Sequence, residues 1–108
     1  MLNFKCYFQE PVVEDPNENF RVRKCTLYFY LEDDTCHIVE NRIENSGIPQ
    51  GVFLKRHKLP VAGKQDTTHK WNDFKLGMNL DVYGRVFRIV DCDEFTRRFF
   101  ADQGQDLG

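Results

Sequence analysis

Residues 81–100 read DVYGRVFRIVDCDEFTRRFF, and the way this stretch is parsed decides the fold. Its first half alternates as a β-hairpin does. Leu80 and Val82 share one side against Asn79 and Asp81, and Phe87 and Ile89 resume the alternation after a turn. Gly84-Arg85 is read as that turn, with glycine at the first central position, where φ is positive. The second half changes period. Cys92, Phe95 and Phe99 fall on one helical stripe with Phe100 at its edge. Asp91 stands where the alternation stops, and Glu94 follows three residues later, the acidic spacing of a capped helix start. Asp93 and Glu94 then lie beside the positive end of the helix dipole. Arg97 and Arg98 follow four residues after them, and Gly104 sits where a C-terminal glycine belongs.

Asp91-Cys92-Asp93-Glu94 invites a second parse, as a metal or acid–base site. Every acid in the tetrad already has a structural role in the helix start, so that parse is preferred over chemistry.

Upstream, residues 2–8 alternate as a strand, with Leu2, Phe4, Cys6 and Phe8 on one face. EPVVEDPNEN, residues 10–19, reads as a solvated loop. Residues 20–40, FRVRKCTLYFYLEDDTCHIVE, form the strongest hairpin signal. Leu27, Phe29 and Leu31 oppose Thr26, Tyr28 and Tyr30, and Glu32-Asp33-Asp34-Thr35 is turn chemistry. NRIENSGIPQG breaks the pattern. VFLKRHKLP is a short strand closed by Pro60. VAGKQDTTHKWND reads as a mobile loop with few apolar anchors, its far end pinned to the core by Trp71 and Phe74. Several strands with long loops and one terminal helix give a mainly β, α+β class. The expected architecture is a partly closed antiparallel barrel or sandwich, with the aromatic face of the helix plugging its open end.

A chain of 108 residues is one domain's length and can bury a core without metal or disulfide support. Fifteen basic and 17 acidic residues leave a net charge of −2, so no global field steers the domain to nucleic acid or membrane. No apolar run approaches a membrane span and no leader sequence is recognisable. Cys6, Cys25, Cys36 and Cys92 are scattered; without a secretory signal they are expected to be free and mostly buried rather than a disulfide framework.

Specific chemistry is thin. LEDDTCHIVE lacks the alternating oxygens and glycine of a calcium loop. Cys36 and His37 are adjacent on a strand and point to opposite faces, which opposes zinc, and His57 and His69 have no near cysteine. SGIPQG has no lysine after its second glycine, so it is no phosphate loop. No context supports a Cys/His nucleophile pair. No cofactor is expected.

The one candidate contact surface is LKRHKLP, with Lys55, Arg56, His57 and Lys58 in a row and Arg21, Arg23 and Lys24 behind it. Its bland reading is an edge strand blunted by charge. Its functional reading is a basic patch for an acidic partner, and the two are compatible. Strand alternation sends Lys55 and His57 to one face and Arg56 and Lys58 to the other.

FRVRKCTLYFYLEDDT, ENSGIPQG, LKRH and GMNLDVYGRVFRIVDCDEFTRRFF, with the spacing between them, closely resemble the DM-ten domain. That domain occurs in tandem in the EF-hand-containing ribbon proteins of ciliary axonemes, the myoclonin family, and the likeness is nearest the first copy. It spans about residues 2–100. The resemblance implies that 1–108 is a single domain cut from a longer, multi-copy protein, with a pleckstrin-homology-like fold and no catalytic role. It implies a microtubule inner protein of the cilium or flagellum, in the cytoskeleton, docking on tubulin of the doublet wall and on neighbouring inner proteins, with no nucleic-acid or membrane partner. The alternative borrowed from the fold is a peptide- or phosphoinositide-binding module. The acidic loop EPVVEDPNEN opposes a phosphate site there.

Overall fold

A computed structural model of the chain describes residues 1–11, 20–41 and 51–108; the side chains of residues 10, 11, 20 and 21 lie outside the described set. Among these residues six strands form one antiparallel sheet. In chain order they are β1 (Leu2–Pro11), β2 (Phe20–Tyr30), β3 (Thr35–Glu40), β4 (Val52–His57), β5 (Asn79–Val82) and β6 (Arg85–Cys92). Their order across the sheet is β4-β3-β2-β1-β6-β5. A single helix, α1 (Glu94–Asp102), follows β6, and a short 3-10 turn covers Trp71–Asp73. The mainly β class with one C-terminal helix is as expected from the sequence.

Period-two alternation builds the core. Leu2, Phe4, Cys6 and Phe8 of β1 are all buried, as are Cys25, Leu27 and Phe29 of β2, Cys36 and Ile38 of β3, and Phe87 and Ile89 of β6. Although β4 and β5 are the two edges, the sheet curls so that its edges approach. Phe53 of β4 packs 5.3 Å from Phe8 on β1 and 5.4 Å from Phe87 on β6. The sheet is therefore a half-barrel with an apolar interior.

Two aromatic groups fill that interior. One gathers Phe8, Phe53 and Phe87. The other gathers Phe4, Phe29, Phe74 and Phe100, with Phe74 at 5.4 Å from Phe4 and 5.5 Å from Phe29. Helix α1 covers this second group: Phe100 meets Phe4 edge-on, and Trp71 stands against Phe99 and Phe100. Trp71 and Phe74 pin this region as the sequence indicated. Residues 61–70, read from the sequence as a mobile loop, are tied by backbone bonds from Val61 N to Thr67 O and from His69 N to Leu59 O. Leu59 is a buried anchor there, 1% exposed.

Four local expectations are corrected. First, the helix starts two residues later than expected. Asp93 is its N-cap, its Oδ1 accepting from Thr96 N at 2.9 Å, while Asp91 and Cys92 belong to β6. Second, the buried stripe is rotated accordingly. Thr96 and Phe100 are buried, Phe99 is half-buried and Phe95 is 52% exposed. Third, Tyr83 and Gly84 are the central turn residues of the β5–β6 hairpin, with φ of 50° and 85°, and Val82 faces Arg85. Two positive φ values match the twist of the flanking strands. Fourth, β1 runs on to Pro11, through the first two residues of the expected loop. The remainder of that loop and residues 42–50 of the second lie outside the described residues. At the helix end Gly104 takes φ 68°, its N–H donating to Ala101 O while Gln105 N donates to Phe100 O. That is the left-handed cap the sequence pointed to.

Candidate functional site

The acidic tetrad is structural at each position. Asp91 pairs with Arg97 at 2.9 Å, not Asp93 with Arg97 as spacing suggested. The Cys92 side chain is buried, and burial raises its thiol above the ordinary range. Asp93 also accepts from Thr96 Oγ1 at 2.5 Å, and Glu94 pairs with Arg98 at 3.1 Å. The same threonine hydroxyl accepts from Asn3 N at 2.8 Å and so ties α1 to β1. Among the described residues no three His, Cys, Asp or Glu side chains gather as a metal site. Cys36 is buried while His37 stacks outside on Tyr28 and Tyr30, the opposite-face arrangement expected of strand neighbours.

The basic run lies on β4, an edge strand, as its charge-blunting reading requires. Strict alternation fails there because the β3–β4 register shifts twice. Arg56 folds onto the β2–β3 turn. Its guanidinium sits 3.6 Å over the Tyr30 ring, 2.8 Å from Glu32 Oε1 and 3.0 Å from Asp33 Oδ2, and Nε donates to Thr35 Oγ1 at 2.8 Å. The Thr35 hydroxyl bond, aided by Arg56, holds the Asp33 carboxyl below its ordinary range. His57 turns toward the β5–β6 hairpin, with Nε2 at 2.6 Å from the Tyr83 hydroxyl and the rings stacked. Arg56 and His57 therefore fasten the edge strand, whereas Lys55 and Lys58 are exposed.

The second basic group divides as well. Arg23 forms a two-pronged ion pair with Glu40, one contact being Nη2 to Oε1 at 2.5 Å, with side chains only 15% and 6% exposed. Its guanidinium also lies 5.7 Å from the Phe8 ring, at the end of the half-barrel away from α1. Arg21 lies on β2 opposite Glu10, its side chain outside the described residues. Lys24 is exposed on the outer face of the sheet, directly across from Tyr7 of β1.

Tyr7 has Arg88 of β6 as its other neighbour. Lys5, two residues before Tyr7, shares its face. Lys5, Lys24 and Arg88 thus surround one tyrosine on the outer face, and all three are exposed. Neither Lys5 nor Arg88 belongs to a basic run, so no local signal in the sequence marks them. Only the pairing of β1 with both β2 and β6 brings them together.

The stretch YGRVFRIVDCDEFT, residues 83–96, forms the hairpin turn, β6 and the start of the helix. It ends where a family model also ends: residues 1–96 match the DM10 domain. The chain belongs to the DM10 domain family. This DM10 domain is 47% identical over 107 residues to EF-hand domain-containing protein 1 of Mus musculus, across 99% of the chain and 16% of that protein. It is 44% identical to the Homo sapiens protein of the same name, covering 99% of the chain and 17% of that protein. It is 46% identical over 108 residues to EF-hand domain-containing family member C2 of Danio rerio, covering 99% of the chain and 14% of that protein. The DM10 chain therefore spans about a sixth of these relatives' length.

Proposed function

We propose that this DM10 domain is a non-catalytic docking module of a ciliary microtubule inner protein. It would seat on tubulin and on neighbouring inner proteins and so stabilise the axonemal doublet. The observation that carries this reading is the family match over residues 1–96, joined to 44–47% identity with EF-hand domain-containing proteins along 99% of the chain. The side chains support it. The acids that invited an enzymatic parse cap and pair the helix, and the histidine of the basic run fastens an edge strand. The domain would act as one of several copies in a longer polypeptide, where avidity multiplies weak single contacts.

Co-sedimentation with polymerised tubulin, run beside liposomes containing phosphatidylinositol bisphosphate, tests the proposal. Pelleting with the polymer is expected to weaken as salt rises, because exposed charges are screened within about 10 Å at 0.1 M. Pelleting with liposomes alone would replace this reading by a pleckstrin-like lipid-binding one.

A further inference from the structure

Three cations stand on the outer face of the sheet without an ion pair among the described residues. Lys5 and Lys24 carry none, and Arg88 makes a single bond, to the neutral Asn79 Oδ1 at 3.2 Å. Adjacent strands lie about 4.8 Å apart, so the backbones of Lys24 and Arg88, one strand to either side of Tyr7, are separated by about 10 Å. Exposed valines flank them two residues along each strand: Val22 beside Lys24, and Val86 and Val90 beside Arg88. Two carboxylates lie toward the β6 side, and both are engaged within the chain. Asp91, across from Lys5, pairs with Arg97, and Asp81, across from Val86, accepts from Gly84 N at 2.8 Å. The chain as a whole carries a charge of −2, so this local excess of positive charge is not a property of the entire surface.

We infer that the outer face of β2, β1 and β6, centred on Tyr7, is the surface by which the domain takes an acidic protein partner. Lys24 and Arg88 each meet a separate carboxylate, Lys5 supports them, and Tyr7 packs between. The inference deepens the docking reading above and names its face. The spacing chooses the partner's chemistry. A phosphate group is one compact anion and needs donors that converge on it. Cations about 10 Å apart across flat strands fit carboxylates spread over a protein surface. Interleaved valines and a tyrosine add the apolar contact area that protein interfaces use. The β4 run offers less, because Arg56 is held by Glu32 and Asp33 and His57 by Tyr83.

The experiment measures binding of the 108-residue chain to three probes: polymerised tubulin, poly-glutamate, and vesicles of phosphatidylcholine with phosphatidylserine. Circular dichroism checks that each variant is folded. K5E/K24E/R88E is expected to lose at least tenfold in affinity for tubulin and for poly-glutamate, while K55E/K58E stays within about twofold of the parent. If the parent binds tubulin and the triple variant binds equally well, the face is wrong and the docking reading survives. If the parent ignores tubulin yet binds poly-glutamate in a way that the triple variant loses, the face stands and docking on tubulin falls. Binding to vesicles alone, or to no probe, overturns the inference. So does a loss confined to K55E/K58E. Should the triple reversal not fold, K24Q/R88Q, which removes charge without adding any, is read in its place. A threefold or greater loss is expected for it, and parent-like binding overturns the inference.

Discussion

Asp93 caps the helix by accepting from the amide of Thr96 at 2.9 Å, two residues after the position at which the acidic spacing put the cap. Replacing Asp93 with alanine removes the acceptor for an otherwise orphaned helix amide and should cost about 1 kcal/mol. Asp91→Ala removes an exposed pair with Arg97 and a bond from the adjacent Cys92 amide, but no helix cap, and should cost less, about 0.5 kcal/mol. Urea unfolding of the two variants checks the ordering, which reverses if Asp91 is the cap.

The rotated stripe separates three phenylalanines that look alike in sequence. Phe100 is 1% exposed and packs on Phe4 and Trp71, so Phe100→Ala should destabilise by about 3–5 kcal/mol. Phe95 is 52% exposed, and Phe95→Ala should stay within about 0.5 kcal/mol of the parent. Phe99, half-buried against Trp71, should fall between. Thermal or chemical melts rank all three, and a severe Phe95 variant would show that the helix faces the sheet differently.

Arg23 and Glu40 form the one ion pair among the described residues whose two side chains are both largely buried. Glu40→Ala removes the largely buried carboxylate that both prongs of the Arg23 guanidinium meet, and should cost about 2 kcal/mol. Glu94→Ala, which breaks the exposed pair with Arg98, should cost no more than about 0.5 kcal/mol. Equal losses in a denaturant titration would contradict the difference in burial.

Burial pushes the Cys6 and Cys36 thiols to about 12 and Cys25 to about 11, from an ordinary 9.0. Glu40 adds to the rise at Cys25. Unfolded thiols release their protons near 9, whereas the folded chain holds them longer. Between about pH 9 and 12 the unfolded state therefore binds fewer protons, and stability falls as pH rises; below 9 the contribution is fully present. Cys36→Ala should show a shallower alkaline decline than the parent, by up to about 1 kcal/mol per pH unit. The same burial predicts slow labelling by a bulky thiol reagent at pH 8, since the thiolate is the reactive form. Rapid labelling of all four cysteines would refute both expectations.

Residue alternation and local turn chemistry were enough to determine most elements of this protein. Leu2, Phe4, Cys6 and Phe8 alternate because a pleat sends successive side chains to opposite faces, and all four are buried. EDDT turns because short carboxylates bond to the nearby backbone, as Asp33 does to Thr35 N at 3.2 Å. Gly104 ends the helix because left-handed φ is cheap for glycine alone. Tertiary structure decided whatever depends on a partner distant in sequence. The choice of cap between Asp91 and Asp93 followed from β6 running on to Cys92 beside Phe4, since a strand residue paired to β1 is not free to cap a helix. The fate of the basic run followed from the curl of the sheet, which carried His57 to Tyr83, and from the β2–β3 turn, which gave Arg56 its acids. Lys5, Lys24 and Arg88 met around Tyr7 for the same reason: cross-strand neighbours are set by which strands pair and in what register, and periodicity within one strand carries no record of either.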